Sequence, residues 1–274
     1  MRLHYFDYAA QGVRTPPPVV CLPGLTRPAD DFSALAPALA AKGHRVLALD
    51  HRGRGDSAWD PDWSHYSLDV EQDDILRLLA LEEIGSAVFV GTSRGGLHAM
   101  RLALARPGLV RAAVLNDIGP EINLAGLLAI KRYVGKLPPL NNLADAIGLM
   151  RLSAGATFSA LSMDEWEQFA RQSFVEKDGK VVLRYDPALT RTLDHVAPDM
   201  VPELFWDEFA ALARGPLLTL RGENSDILTP EILERMVAAA PAMETHTVAG
   251  QGHPPLLLDA PTIDRVVAFV AAHV

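Results

Sequence analysis

The sequence predicts an α/β fold: a mostly parallel central sheet with helices on both faces and an inserted helical segment. Three observations carry this expectation. Up to about residue 120, short apolar runs alternate strictly with amphipathic stretches, the pattern of parallel strands joined by right-handed crossover helices. From 121 to 213 the pattern turns helical, with little strand character. From 214 the alternation resumes and continues to the last helix. The expected organisation is a core made of 1–120 and 214–274, with 121–213 as a helical cap inserted into it.

Each element follows from local chemistry. Residues 2–9 alternate in polarity, as a strand near a sheet edge does. Gln11-Gly12 turns the chain, and Pro16 to Pro18 lead stiffly into Val19-Val20-Cys21-Leu22, an apolar run suited to a strand buried on both faces. Asp30-Asp31 precede a helix over about 31–42, with Phe32, Leu35 and Leu39 at helical spacing and Gly43 as its stop. Arg45 to Leu49 is the next buried strand. It runs into the glycine-punctuated loop Asp50 to Ser57, where Gly53 and Gly55 read as a turn. Ser67 opens a helix to about Ile84 with a buried stripe of Leu68, Ile75, Leu78, Leu79 and Leu81. Ala87 to Val90 is a strand, 96–105 a helix, and Val110 to Leu115 a strand. In the insertion, 124–133 and 143–152 read as helices. Ser162 to Glu165 is a capping box, Lys177 to Lys180 a turn, and 202–213 a further helix. Beyond it come a strand at 216–220, a helix at about 230–239 opened by Thr229-Pro230, a strand at 245–248 and a helix from about 261.

Composition excludes several function classes. A 274-residue chain can bury a sizeable core, and 49% hydrophobic with 22% charged residues is ordinary globular usage. A net charge of −9 argues against nucleic acid or an anionic membrane as partner. A single cysteine, Cys21, precludes an internal disulfide and sits in an apolar run, so it reads as a buried, inert thiol. The N-terminal residues have no long apolar signal-like stretch and no run is apolar enough to span a membrane, so a cytoplasmic location is expected. The partner expected is a small-molecule substrate, with a homo-oligomer left open.

The chemistry centres on Gly91-Thr92-Ser93-Arg94-Gly95, a G-x-S-x-G between a strand and a helix. Such a turn strains the serine backbone and projects its Oγ above the sheet, while the flanking glycines remove colliding Cβ atoms. Serine at its free pKa is a weak nucleophile and needs a histidine base oriented by an acid. His253 lies in a loop after the last expected strand, between Gly252 and Pro254. Asp226 lies just past the strand at 216–220, at the edge where parallel strands gather catalytic groups. The order Ser93, Asp226, His253 is that of nucleophile, acid and base behind an elbow serine. Asp226 is favoured as the acid, and Asp117, which also ends a strand, is its rival. Asp50 reads as a loop-tying acid, His51 as a loop hydrogen-bond partner and His98 as a helix-packing residue. No His or Cys spacing suits a metal site, and no phosphate-binding or dinucleotide fingerprint is present, so neither metal nor cofactor is expected. Arg27, Arg52 and Arg94 fall near the expected mouth. One could hold a substrate carboxylate, although a structural or surface role is the simpler reading. Arg27, Trp59, Tyr133, Met150 and Phe158 are the candidates for substrate contact, with Trp63 and Tyr66 nearby.

Five motifs in order resemble an α/β-hydrolase-fold serine hydrolase with a helical cap, over nearly the whole chain: Leu22 to Leu25, Asp50 to Ser57, Gly91 to Gly96, Gly222 to Asp226, and Gly252-His253. The chain departs from the family in carrying Pro23-Gly24 where His-Gly is usual, and in Leu3 to Tyr8 reading as the family's second strand. The resemblance implies an oxyanion hole from the backbone N–H groups of Leu25 and Arg94, the latter at a helix N-terminus where unpaired donors favour negative charge. It implies a cofactor-independent serine hydrolase of a small ester, lactone or similar acyl substrate. Cleavage of a C–C bond beside a ketone with the same triad is the alternative, and a non-catalytic, receptor-like binding member of the fold is the reading from another class. A serine at position 93 disfavours dehalogenase and epoxide-hydrolase chemistry, which need aspartate there.

Overall fold

The computed structural model describes residues 1–12 and 16–274. Among these, one seven-stranded sheet runs in the order β1-β3-β2-β4-β5-β8-β9, from β1 (His4–Tyr8), β2 (Val19–Leu22), β3 (Val46–Asp50), β4 (Ala87–Thr92), β5 (Val110–Asn116), β8 (Leu217–Gly222) and β9 (Glu244–Val248). Only β1, at one edge, is antiparallel, pairing His4 with Asp50 and Tyr8 with Val46. The other pairs are parallel, with Cys21 opposite Val90 and Gly91 opposite Leu115.

Period-two side-chain alternation divides the core. Val19, Cys21, Val88, Val90, Val114 and Leu218 point to one face, under α1 (Leu35–Ala40) and α9 (Ala260–His273). Val20, Leu22, Leu47, Leu49 and Phe89 point to the other, under α2 (Leu68–Leu81) and α3 (Arg94–Ala105). On that second face Ala113, Leu115 and Leu217 continue the core beneath α7 (Trp206–Leu212) and α8 (Pro230–Ala239). The starts read from sequence at Ser67 and Thr229 are formed, their side chains accepting from Val70 and Ile232 N–H, and Asp259 caps the last helix by accepting from Thr262 N–H.

Two expectations change in detail. The helix expected over 31–42 is a 3-10 turn at Ala29–Phe32 followed by the short α1. Leu81, placed on the buried stripe of α2, is 74% exposed, while Glu71 and Asp74 take buried positions on that stripe.

Between β5 and β8 lie α4 (Leu124–Tyr133), α5 (Leu143–Ala154), α6 (Met163–Ser173) with its capping box, and a 3-10 helix at Pro187–Leu193. This stretch is less purely helical than its sequence suggests. Residues Phe174–Lys177 (β6) and Lys180–Leu183 (β7) form an antiparallel hairpin around the Asp178-Gly179 turn. A four-residue strand that pairs only with its neighbour has too little alternation to register in sequence. The stretch is stapled to the loop at 50–57: Gly55 N–H donates to Arg184 C=O at 2.8 Å, Asp186 N–H to Gly53 C=O at 2.7 Å, and Tyr66 Oη to Asp186 at 2.6 Å. The loop is itself tied by Asp50, whose carboxylate accepts from Ala29 and Asp56 N–H at 2.6 and 3.1 Å.

The β4–α3 turn is the tightest point in the fold. A Cβ on Gly95 would lie 2.0 Å from the Leu22 carbonyl oxygen, and one on Gly91 would lie 2.5 Å from Gly95 backbone atoms. Neither neighbour is a side chain that can move aside. Gly95→Ala is expected to lower unfolding stability by about 2 kcal/mol or more, as overpacking against fixed backbone does, read by urea denaturation.

Candidate active site

Ser93 occupies the turn with φ 50° and ψ −114°, a strained conformation for a residue with a Cβ. Its N–H donates to Asn116 C=O at 2.9 Å, and its C=O accepts from Gly96 N–H at 2.8 Å. The backbone is therefore held on both sides and Oγ is left free. That Oγ lies 2.9 Å from His253 Nε2. His253 Nδ1 lies 2.7 Å from Asp117 Oδ2. A carboxylate facing Nδ1 accepts, so Nδ1 carries the hydrogen and Nε2 is left to accept from the Ser93 hydroxyl.

The acid beside His253 is thus Asp117, and the expectation for Asp226 is corrected. Asp117 follows β5, is fully buried and adopts φ 59°. Its Oδ1 accepts from Gly222 N–H at 2.8 Å, and its Oδ2 accepts from Ser225 Oγ at 2.5 Å as well as from the imidazole. Asp226 lies one residue too far along the β8–α8 loop. Ser225 turns inward to Asp117, while the Asp226 backbone is pinned outward: its C=O accepts from Asn123 Nδ2 at 2.8 Å, and Gly126 of α4 lies directly against it. Its carboxylate is exposed at the cavity wall.

The Leu22–Leu25 loop lies beside the elbow, with a Cβ on Gly24 falling 3.8 Å from Ser93 Cβ. The Leu25 N–H has no acceptor among the described residues, and Arg94 N–H is one of the unpaired donors opening α3. Both N–H groups are therefore left without a protein acceptor.

Ser93 and His253 open onto a cavity of about 580 Å³, within the range of small-molecule sites. Its floor is the sheet edge and its walls come largely from 129–185. Among the residues expected to touch substrate, Arg27, Tyr133, Met150 and Phe158 line it, and Leu25 does so as well. Trp59 does not. It is 55% exposed and borders a separate surface groove beside the β6–β7 hairpin. Trp63 and Tyr66 are also outside the cavity, Trp63 beneath the Arg191 guanidinium and Tyr66 buried against Asp186. Tyr133 lines the cavity with 61% of its surface still exposed, so it stands at the mouth rather than in the buried wall.

The three arginines divide. Arg52 binds Asp74 at 2.7 and 2.9 Å and Asp60 at 2.8 Å, away from the cavity. The Arg94 side chain turns from the cavity, its Nε donating to Glu71 at 2.6 Å and its Nη2 to Tyr66 C=O at 2.9 Å. Arg27 does reach the cavity, but its guanidinium is already paired with Asp31 at 2.7 and 2.5 Å and lies over the Phe169 ring. Its charge is matched within the protein, so it presents no free cation to a substrate carboxylate.

Glu71 is the group the sequence reading passed over. It is fully buried and accepts from Arg54 at 2.7 Å, Arg94 at 2.6 Å and His98 at 3.1 Å. Burial alone would raise its pKa, but the two guanidinium groups hold it well below the usual carboxylate range. Its signal was a charged residue four positions before Ile75, on the apolar stripe of α2. His51, Glu71 and His98 are close enough to share a metal ion. Both Glu71 oxygens are already occupied by arginine, however, and two guanidinium charges oppose a cation there. His51 is not the loop partner expected: both its ring nitrogens are buried without a protein partner, while His98, expected to be packing, holds Glu71.

Residues 17–260 match the alpha/beta hydrolase fold family, and the chain belongs to that family. It is a hydrolase-fold enzyme chain with the serine-elbow architecture expected from its motifs. It is 30% identical to a 3-hydroxybutyrate-oligomer hydrolase of Cupriavidus necator over 94% of this chain and 89% of that one. It is 25% identical to esterase YbfF of Escherichia coli over 92% of each. A crystal structure of an alpha/beta hydrolase from Novosphingobium aromaticivorans superposes with a TM-score of 0.91 at 37% identity, covering 98% of this chain and 94% of that one. Among the described residues no helix is long and apolar enough to cross a membrane.

Burial lowers the pKa of His51 and His98, so both bind protons less readily folded than unfolded. Between their depressed folded values and the unfolded value near about 6.5, the unfolded chain holds more protons, and stability falls as pH falls. Thermal unfolding is expected to lose stability as pH drops below about 6.5, and less steeply in His51→Gln. A low-field proton NMR resonance for His253 Nδ1–H is expected in the wild type and in Asp226→Asn, and absent in Asp117→Asn.

Proposed function

We propose that this chain is a cofactor-independent serine hydrolase of a small ester, lactone or similar acyl substrate. The observation that carries the reading is the continuous chain from Ser93 Oγ through His253 to buried Asp117 at the floor of a largely apolar cavity. Ser93 Oγ attacks the acyl carbon as its proton passes to His253 Nε2. Asp117 holds the imidazole in the right tautomer and stabilises the imidazolium. The carbonyl oxygen, now an oxyanion, takes the Leu25 and Arg94 N–H groups, each contributing on the order of 3 kcal/mol to the transition state. His253 then protonates the departing alcohol, leaving an acyl group on Ser93. Water, deprotonated by His253, attacks the acyl carbon, and collapse returns the serine and releases a carboxylic acid.

Support for an ester comes from two directions. The cavity walls are mostly aliphatic and aromatic, Arg27 is paired with Asp31, and the other charged lining residues, Lys136 and Asp226, are exposed at the rim, which suits an acyl group uncharged beside the nucleophile. Relatives over nearly the full chain include an oligomer hydrolase and an esterase.

A fluorophosphonate probe is expected to label wild type and not Ser93→Ala. Absence of labelling together with absence of ester turnover would favour a binding role for the pocket instead. On a series of p-nitrophenyl esters of graded acyl length, Asp117→Asn is expected to lower kcat by roughly 10³–10⁴-fold, the size found when a triad acid loses its charge. Asp226→Asn is expected to retain most of kcat. A loss confined to Asp226→Asn would reverse the assignment of the acid.

A further inference from the structure

Glu71 lies behind the active site and touches neither the cavity nor the triad. It nevertheless reaches both strands of backbone that carry the oxyanion donors. Its Oε1 accepts from Arg54 Nη1 at 2.7 Å, and Arg54 Nε in turn donates to the carbonyl of Leu25 at 2.7 Å. Its Oε2 accepts from Arg94 Nε at 2.6 Å and from His98 Nε2 at 3.1 Å. Leu25 bears one proposed donor and Arg94 the other. His98 lies one turn beyond Arg94, so Oε2 grips the first turn of α3 at two points. One carboxylate thus uses one oxygen for each half of the hole.

We propose that Glu71 is the positioning residue of the oxyanion hole, setting the separation of the Leu25 and Arg94 N–H groups through Arg54 and Arg94. The inference rests on the acyl-transfer reading above. Three observations favour positioning over a merely structural ion cluster. The first is rigidity: Glu71 and Arg54 are fully buried, so the bridge cannot exchange with water. Further, neither arginine ends at Glu71. Arg54 also binds the Arg52 carbonyl at 2.7 Å and Arg94 the Tyr66 carbonyl at 2.9 Å, which fixes the guanidinium planes. Finally, the Leu25 carbonyl accepts from no other group among the described residues, whereas an oxyanion demands donors at 2.7–3.1 Å, a tolerance of a few tenths of an ångström. The side chain of Arg94 therefore serves the nucleophile's neighbour from behind rather than reading substrate.

The test is Glu71→Gln in the full chain, which keeps shape and loses the charge that both arginines share. The enzyme is assayed on a short-chain p-nitrophenyl ester, with active sites counted by fluorophosphonate and folding checked by near-UV circular dichroism. The expected result is a folded protein whose kcat per active site falls at least about tenfold while KM stays within about threefold, since only transition-state binding is lost. Affinity for an alkyl trifluoromethyl ketone, whose adduct places an oxyanion in the hole, falls by a similar factor. A folded Glu71→Gln with wild-type kcat per site and ketone affinity would overturn the proposal. If that variant does not fold, Arg94→Met cuts only the α3 arm. It is expected to lose kcat, and Arg94→Lys, which can still reach Glu71, to recover part of it. Wild-type kcat in Arg94→Met would likewise overturn the proposal. A wild type that neither labels nor turns over ester would instead overturn the acyl-transfer reading itself, whatever Glu71 does.

Discussion

The turn between β4 and α3 imposes the constraint on which the rest depends. To bring a strand into a helix within one residue, Ser93 must accept a left-handed backbone that costs on the order of 1–3 kcal/mol. The surroundings have to enforce it. Gly91 and Gly95 let the turn close against the Leu22 carbonyl, and Asn116 C=O anchors Ser93 N–H from the neighbouring strand. The parallel pairing of β2, β4 and β5 therefore does more than build a core. It delivers three loop ends to one edge, so that Leu25, Ser93 and Asp117 emerge side by side.

Burial then sorts the polar groups by what they can afford. Asp117 and Glu71 are both wholly buried carboxylates, and each is saturated with donors. A buried carboxylate stripped of such partners costs several kcal/mol, so neither is incidental. Asp117 spends one interaction on the imidazole and two on holding itself still. Glu71 spends all of its own on the frame behind the hole. The loop at 50–57 joins these layers, since Arg54 leans on Glu71 while Gly53 and Gly55 hydrogen-bond Asp186 and Arg184 of the stretch that walls the cavity.

That stretch also closes the histidine side of the site. The Asn224 amide donates to Thr157 C=O at 3.0 Å, Ala160 N–H donates to Gly250 C=O at 3.2 Å, and Gly252 leaves no room for a side chain beside Thr157. His253 is thereby packed from the insertion as well as from the sheet, with only 7% of its side chain exposed. Limited water beside the imidazole strengthens its hydrogen bonds to Ser93 and Asp117.

By itself the sequence determined the sheet, most helix ends, the elbow serine and the histidine. Those follow from local rules: two-residue alternation, caps such as Ser67 and Thr229, and a glycine-flanked serine between strand and helix. Only the tertiary structure decided which aspartate meets His253, because Asp117 directly after β5 and Asp226 in the loop after β8 both lie past C-terminal strand ends at the same sheet edge, and nothing in the local sequence reads as orientation. The choice turns on Asn123 and Gly126 pinning the Asp226 backbone outward while Ser225 turns in, contacts made by residues about a hundred positions away. The same holds for Trp59, excluded from the cavity, and for Arg94 and Glu71, whose partnership crosses from α3 to α2. Side-chain direction at a loop or on a helix face is set by what packs against it, and that is fixed only when distant segments of the chain have come together.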